Sequence, residues 1–332
     1  MVRQINPGLA RLMGENGSRQ YGYREPLTLS TLSPGQHRAL DFLEHGIADQ
    51  QLELLPKMAS ADPVEVKDLM QRLGSYLRAT SSFLPEFTDL EVQSRFREIL
   101  RLFASTNLDP AQALKTRKLA KVYLDSFSPF GLTFTQGLAS AGVGVVITDD
   151  QKRTKPEDLG AMGFAIEQLG TARAIAAREK LLGQIAIRHH SRTTSSYDSV
   201  DVAILNSSDV LSPKRYQRWL SRDIPHLLVR FDEKGVEVSH LVIPGITPCL
   251  GCAELARIRS DPSWLALATQ LDYLERDLAD STSVLFGASI ALARTLERID
   301  NPLVHQRPTT LRLEHGVGVF ELEPADQNCG CR

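Results

Sequence analysis

Four cysteines are the residues in this 332-residue chain whose types and spacing most clearly imply chemistry. They fall as Cys249-x-x-Cys252, inside Pro244–Cys252 (PGITPCLGC), and as Cys329-Gly330-Cys331 close to the other end. Two close pairs far apart in sequence are what a tetrahedral zinc site needs: each tight turn supplies two thiolates, and the fold unites the turns. The glycine inside each pair, Gly251 and Gly330, lets the backbone curl around an ion without a side-chain clash. Four sulfur ligands leave no position for a substrate water, so such a zinc would stabilise the fold and not catalyse. Two other uses of the thiols stand beside this one. A pair of local disulfides would include a strained C-x-C ring. A redox C-x-x-C would leave the second pair without a purpose.

The elements that must carry these turns read as α/β. From residue 117 onwards, strands are predicted at 119–124, 143–148, 184–188, 200–205, 226–230 and 236–243. Helices are predicted at 132–141, 168–182 and 212–220. Strands alternating with helices imply a Rossmann-like, mostly parallel sheet covered on both faces. A long helix over 281–299, rich in small residues, follows the first cysteine pair. A hairpin of strands 310–314 and 317–322, turning at His315-Gly316, then returns the tail to Cys249 and Cys252.

Residues 1–80 read as a separate α+β unit. Strands are expected at 20–23 and 26–32, and a helix opens at Ser33-Pro34 and stops at Gly46. A second helix is expected over 49–55 and a third after Asp62-Pro63. This inventory is winged-helix-like. Residues 81–116 form a helical linker, with a loop over 81–88, a helix over 90–103 and a turn over 107–110, before the large unit 117–332.

A Rossmann-type nucleotide site needs glycines after the first strand so that backbone amides can approach phosphate. Here that turn is Asp125–Gly131 (DSFSPFG), with one glycine, a proline that lacks an N–H, and two phenylalanines expected to fill the space a phosphate needs. The residual nucleotide-site positions are Asp149 and Asp150, at the end of the second strand, and Asp209, after the fourth. His189-His190 are adjacent on a strand, point to opposite faces and do not converge on a metal. No catalytic residue is assigned.

Hydrophobic residues make up 42% and charged residues 23%, with a formal net charge of −2. This balance does not suggest nucleic-acid binding, and no predicted helix of the first unit has a basic face. No apolar run approaches a membrane span. The start has no apolar secretory region, so a cytoplasmic protein is expected.

The run VIPGITPCLGCAELARIRSDPSWLALATQL, with the tail NCGC, resembles actinobacterial ThiF-like proteins of the adenylyltransferase superfamily. Within it, the chain is most similar to the partner proteins of thiazole/oxazole-modified peptide cyclodehydratases, which bind leader peptides. The resemblance implies a ThiF-type fold with a four-cysteine zinc site, and a first unit that grips a peptide. It also implies a homodimer, for which the helix 281–299 offers close packing. Active members carry a glycine-rich loop, an N-L-x-R-Q-like segment and a T-D-N-like motif. This chain has DSFSPFG, Glu157–Phe164 (EDLGAMGF) without an arginine, and Ser208-Asp209-Val210. The expected function is therefore a non-catalytic scaffold, a pseudoenzyme, that presents a peptide or protein substrate to a separate YcaO-type enzyme; ATP is not expected as a cofactor. The alternatives are an active adenylyltransferase that activates a peptide C-terminal carboxylate, and a winged-helix DNA-binding regulator.

Overall fold

A computed structural model of the chain describes residues 1–80, 88–105, 108–190, 199–274, 276–303 and 307–331. The chain divides into two compact units, Met1–Lys115 and Thr116–Arg332. The loop expected over 81–88 lies, but for Thr88, outside the described residues, as do residue 107 of the expected turn and residues 191–198.

The first unit runs β1 (Val2–Ile5), β2 (Arg11–Met13), β3 (Arg19–Tyr21), β4 (Leu27–Leu29), α1 (Pro34–His45), β5 (Ile47–Ala48), α2 (Leu55–Met58), α3 (Pro63–Leu73), β6 (Leu77–Thr80), α4 (Asp89–Ser94) and α5 (Phe96–Ser105). The boundary between units falls inside α6 (Pro110–Leu119). Helix α1 starts where its chemistry dictates. Ser33 Oγ accepts from the Gln36 amide at 3.2 Å, Gln36 Oε1 accepts from the Ser33 amide at 3.0 Å, and Pro34 needs no donor. Gly46, at φ +91°, ends it. Its buried Ala39, Leu40 and Leu43 form one core with Val66, Leu69 and Leu73 of α3.

Several expectations shift here. Residues 49–54 form a 3-10 helix ahead of a short α2, and the helix expected over 90–103 breaks at Arg95 into α4 and α5. Strands β1, β2, β5 and β6 were not foreseen. Each is two to four residues long, too short for alternation to register, and β1 finds β6 across most of the unit, Val2 opposite Thr80.

The second unit continues with β7 (Lys121–Leu124), α7 (Pro129–Ala141), β8 (Val145–Thr148), α8 (Arg173–Lys180), β9 (Ala186–His189), β10 (Val202–Ser208), α9 (Pro213–Leu220), β11 (His226–Asp232), β12 (Gly235–Val238), α10 (Leu250–Ser260), α11 (Trp264–Leu274), α12 (Ser281–Asp300), β13 (Thr309–Glu314) and β14 (Val317–Leu322). Among the described residues they form a sheet of order β14-β13-β12-β11-β10-β7-β8-β9. The run β11-β10-β7-β8-β9 is parallel, as alternation with helices requires, whereas β12, β13 and β14 pair antiparallel. The strand expected over 236–243 stops at Val238, and only Val242 pairs again, bridging His226.

Helices α7 and α12 pack their apolar faces onto one side of the sheet. A Cβ on Gly137 would lie 2.7 Å from Leu292 Cδ2, and one on Gly287 would lie 3.0 Å from Val229 Cγ1. Gly287, Ala288 and Ala291 are buried within this chain, whereas Ala293 of the same helix is exposed. The other side is closed by Tyr123, Leu205, Tyr216, Trp219, Cys249 and Leu250.

His226 begins β11 and is wholly buried. Its Nδ1–H donates to the Ile224 carbonyl at 2.9 Å, while Nε2 has no partner among the described residues. Burial pushes the imidazole down to about 4, from 6.5. Between those values the unfolded chain binds a proton that the native state refuses. Stability from this group is complete above about pH 6.5 and declines as the pH falls to about 4, by roughly 3 kcal/mol. Urea midpoints across that range should fall in the parent and fall less in His226→Gln; parallel curves would contradict the assignment.

Candidate functional site

Two places in the second unit hold the residues singled out above. At the first, β7 ends at Leu124 and the chain turns through Asp125–Ser128 into α7. This turn is tight: a Cβ on Gly131 would lie 2.0 Å from the Ser126 carbonyl oxygen, so that glycine serves the loop's own closure. Ser128 caps the helix and also accepts from Asn206 Nδ2 at 3.0 Å. The Asp125 carboxylate accepts from the Asn206 amide at 3.1 Å and pairs with Arg215. Burial pushes its pKa up, and Arg215 opposes that.

Phe127 and Phe130 correct the expectation that they fill a phosphate's space. Both rings are fully buried in the core; Phe130 stacks on Phe134, with centroids 6.0 Å apart, and meets Phe231 edge-on at 5.8 Å. What meets the loop instead is a carboxylate. Asp150 Oδ2 accepts from the Phe127 amide at 2.8 Å, and its Oδ1 accepts from the Lys152 amide at 2.9 Å.

The other two acids are engaged elsewhere. Asp149 takes the Tyr123 hydroxyl and, at 2.9 Å, the Arg218 guanidinium, which also bonds the Tyr123 hydroxyl and lies over the Tyr123 and Trp219 rings at 4.9 and 4.7 Å. Asp209, with φ +56°, is held by Arg276 through bonds of 3.0 and 2.6 Å. The three acids thus have three different sets of partners.

The stretch Glu157–Phe164 has no arginine of its own, but the structure supplies one. Arg173, at the start of α8, binds Asp158 through Nε at 2.8 Å and Nη2 at 2.6 Å, and its Nη1 lies 3.4 Å from Ser126 Oγ in the loop. Asp158 is fully buried and Arg173 nearly so. No local pattern revealed this pair; only an arginine within an alanine-rich run, Ala172–Ala177, hinted at it.

At the second place, Cys249 is the N-cap of α10 and Cys252 sits in its first turn, with the Cys252 amide donating to the Cys249 carbonyl at 3.0 Å. The tail arrives alongside: Arg259 of α10 pairs with Asp326, whose Oδ1 also accepts from the Asn328 amide at 2.9 Å. Cys249 Sγ lies 3.4 Å from Cys329 Sγ, and Cys252 Sγ lies 3.6 Å from Cys331 Sγ. All four sulfurs are within 4.8 Å of one another, and all four cysteines are free thiols. Tetrahedral bonds of about 2.3 Å would set sulfurs about 3.8 Å apart, so this cluster could hold a metal with small adjustments. Gly251 contributes space: a Cβ there would lie 3.3 Å from Cys249 Sγ and 3.7 Å from Cys329 Sγ. The N-terminal end of α10 favours thiolate, whereas burial pushes the Cys249 thiol up.

No family model matches the sequence, and no curated protein matches it. Solved structures do match the fold. Escherichia coli MccB with ATP superposes with a TM-score of 0.71 at 11% identity, covering 100% of this chain and 99% of that one. The microcin C7 biosynthetic enzyme MccB in complex with N-formylated MccA gives 0.72 at 12% identity, with the same coverage. PaaA gives 0.63 at 15% identity, covering 82% of this chain and 95% of that one. The fold is thus that of MccB. Among the described residues, no helix is long and apolar enough to cross a membrane.

Proposed function

We propose that this chain is a ThiF-like peptide- or protein-binding scaffold that works without ATP, uses its first unit to hold a substrate, and presents it to a separate enzyme. One observation carries the ATP half of this reading: the Phe127 amide at the head of the loop already donates to the Asp150 carboxylate. An incoming phosphate would have to displace a buried anion and would otherwise face it, at a cost that low local dielectric enlarges. Pro129 adds no donor, and of the two arginines beside the loop, Arg173 has two of its nitrogens committed to Asp158 and Arg215 is paired with Asp125.

The peptide half draws on the fold neighbours. One MccB structure with this fold contains the peptide MccA, and the sequence resemblance is to leader-peptide-binding partners of cyclodehydratases. A YcaO-type enzyme is the partner this reading calls for. The four cysteines would hold a structural zinc that fixes the tail to α10.

Isothermal titration of the full chain with Mg-ATP is the test. No binding is expected in the micromolar range, and no pyrophosphate exchange in the presence of candidate peptides. Tight binding or exchange would replace this reading with that of an adenylyltransferase, in which Asp150 would have to release the Phe127 amide and the Asp158–Arg173 pair would have to open or act as it stands.

A further inference from the structure

The first unit contains a cleft of about 630 Å³ between the β1–β2 and β3–β4 connections, Ser75–Arg78 and the C-terminal end of α5. This volume is in the range of ligand sites, roughly 300–1,000 Å³. Its walls are fixed from behind. Buried Asn6 donates from Nδ2 to the Phe103 carbonyl at 2.8 Å, accepts on Oδ1 from the Gly8 amide at 2.9 Å, and donates its own amide to the Tyr76 carbonyl at 2.9 Å. The Tyr76 hydroxyl donates to the Glu25 carbonyl at 2.9 Å, and the Gly22 amide donates to the Ala10 carbonyl at 2.8 Å. A Cβ on Gly8 would lie 2.5 Å from the Ala104 nitrogen, so the β1–β2 connection is pressed directly against α5.

The charge on those walls is one-sided. Among the described residues that line the cleft, the cations are Arg24, Arg78 and Arg101 and the one carboxylate is Glu25. Other arginines of this unit face acids: Arg3 faces Asp49, Arg19 faces Asp41 and Glu44, and Arg72 faces Asp68. Among the described residues neither Arg24 nor Arg101 has a carboxylate within ion-pair distance. Burial pushes the Arg78 guanidinium down from its usual value. Tyr23, largely exposed, adds an aromatic face beside the arginines.

We infer that this cleft binds an acidic segment of the peptide or protein substrate, with the guanidinium forks of Arg24 and Arg101 receiving its carboxylates. The inference rests on the peptide-binding reading above and supplies its substrate class. Guanidinium matches carboxylate in two parallel hydrogen bonds, which gives geometric selection as well as attraction. A nucleic acid would call for a basic stripe along the unit, whereas the cleft's positive charge is local and Arg3, Arg19 and Arg72 elsewhere in the unit face acids.

The test is a selection of random decapeptides on the full chain, followed by fluorescence anisotropy with the peptides obtained. The expected set is enriched in Asp and Glu, and its binding weakens as salt is raised. The double variant Arg24→Gln/Arg101→Gln should keep the parent's thermal unfolding curve, since both residues are exposed. It should bind the selected peptides at least about tenfold more weakly, because two charge-assisted guanidinium–carboxylate contacts are lost. Peptides that bind without acidic enrichment, or equally well to the double variant, would overturn the inference and leave the peptide-binding reading standing. A selection that yields no binder would overturn both. Displacement of the selected peptides by a short labelled oligonucleotide at equal or lower concentration would overturn the inference in favour of nucleic acid.

Discussion

The Cys252→Ser variant is expected to lose its metal and most of the cooperative stability of Thr116–Arg332. The parent, purified without chelators, should contain one zinc per chain; the variant should contain none. The physical reason is linkage. A structural zinc is bound only by the folded arrangement, so its apparent binding free energy, about 10 kcal/mol or more at neutral pH, adds to folding stability. Here the four sulfurs come from the start of α10 and from the chain's last turn, so the ion would close a loop that includes α11, α12 and the β13–β14 hairpin. Replacing one sulfur by a harder hydroxyl removes a quarter of the donor set and leaves a buried polar atom at a position that is 2% exposed. For a unit of this size each kilocalorie per mole shifts the melting temperature by about 2–4 °C, so a fall of about 10 °C or more is expected. Calorimetry with parallel metal analysis checks this. A variant that retains zinc, or a parent that has none and melts identically with and without chelator, would show that the cysteines cluster for another reason.

The second large effect is expected at Arg173. Its guanidinium is bound through two nitrogens to Asp158, a carboxylate with no solvent exposure that also accepts from the Lys155 amide at 2.9 Å. Removing the cation in Arg173→Leu leaves a charge buried without its counter-ion, and such losses cost about 3–5 kcal/mol. Replacing both partners, Arg173→Leu with Asp158→Leu, should recover most of that cost, since the desolvation penalty then disappears with the charge. Urea unfolding of the parent, the single variant and the double variant measures both numbers. A single variant within about 1 kcal/mol of the parent would mean that water reaches Asp158 readily and that the pair is a surface interaction in solution.

This pair also shows what a linear reading misses. Asp158 ends a short 3-10 turn, Pro156–Asp158, and a second such turn, Ile166–Gln168, lies between it and Arg173. Nothing in composition or periodicity couples them; the contact exists because the excursion between β8 and α8 folds back on itself, with Arg153 bridging Ala172.

What the residue order determined by itself was local. Ser33-Pro34 and Gly46 set the ends of α1 because capping and positive φ are properties of single residues. Alternation of strands and helices dictated the parallel run β11-β10-β7-β8-β9, because βαβ units pack in only one way. The two cysteine pairs announced a shared site through spacing alone. Tertiary structure decided the rest. It paired β1 with β6, placed Phe127 and Phe130 in the core, and buried Gly287, Ala288 and Ala291 of α12 against its own sheet. It also gave the loop's amide to Asp150, and left Arg24 and Arg101 facing an open cleft. Each of these outcomes depends on which distant group arrives within a few ångströms. That is set by the sum of packing and desolvation over the whole unit, which no short stretch of sequence encodes.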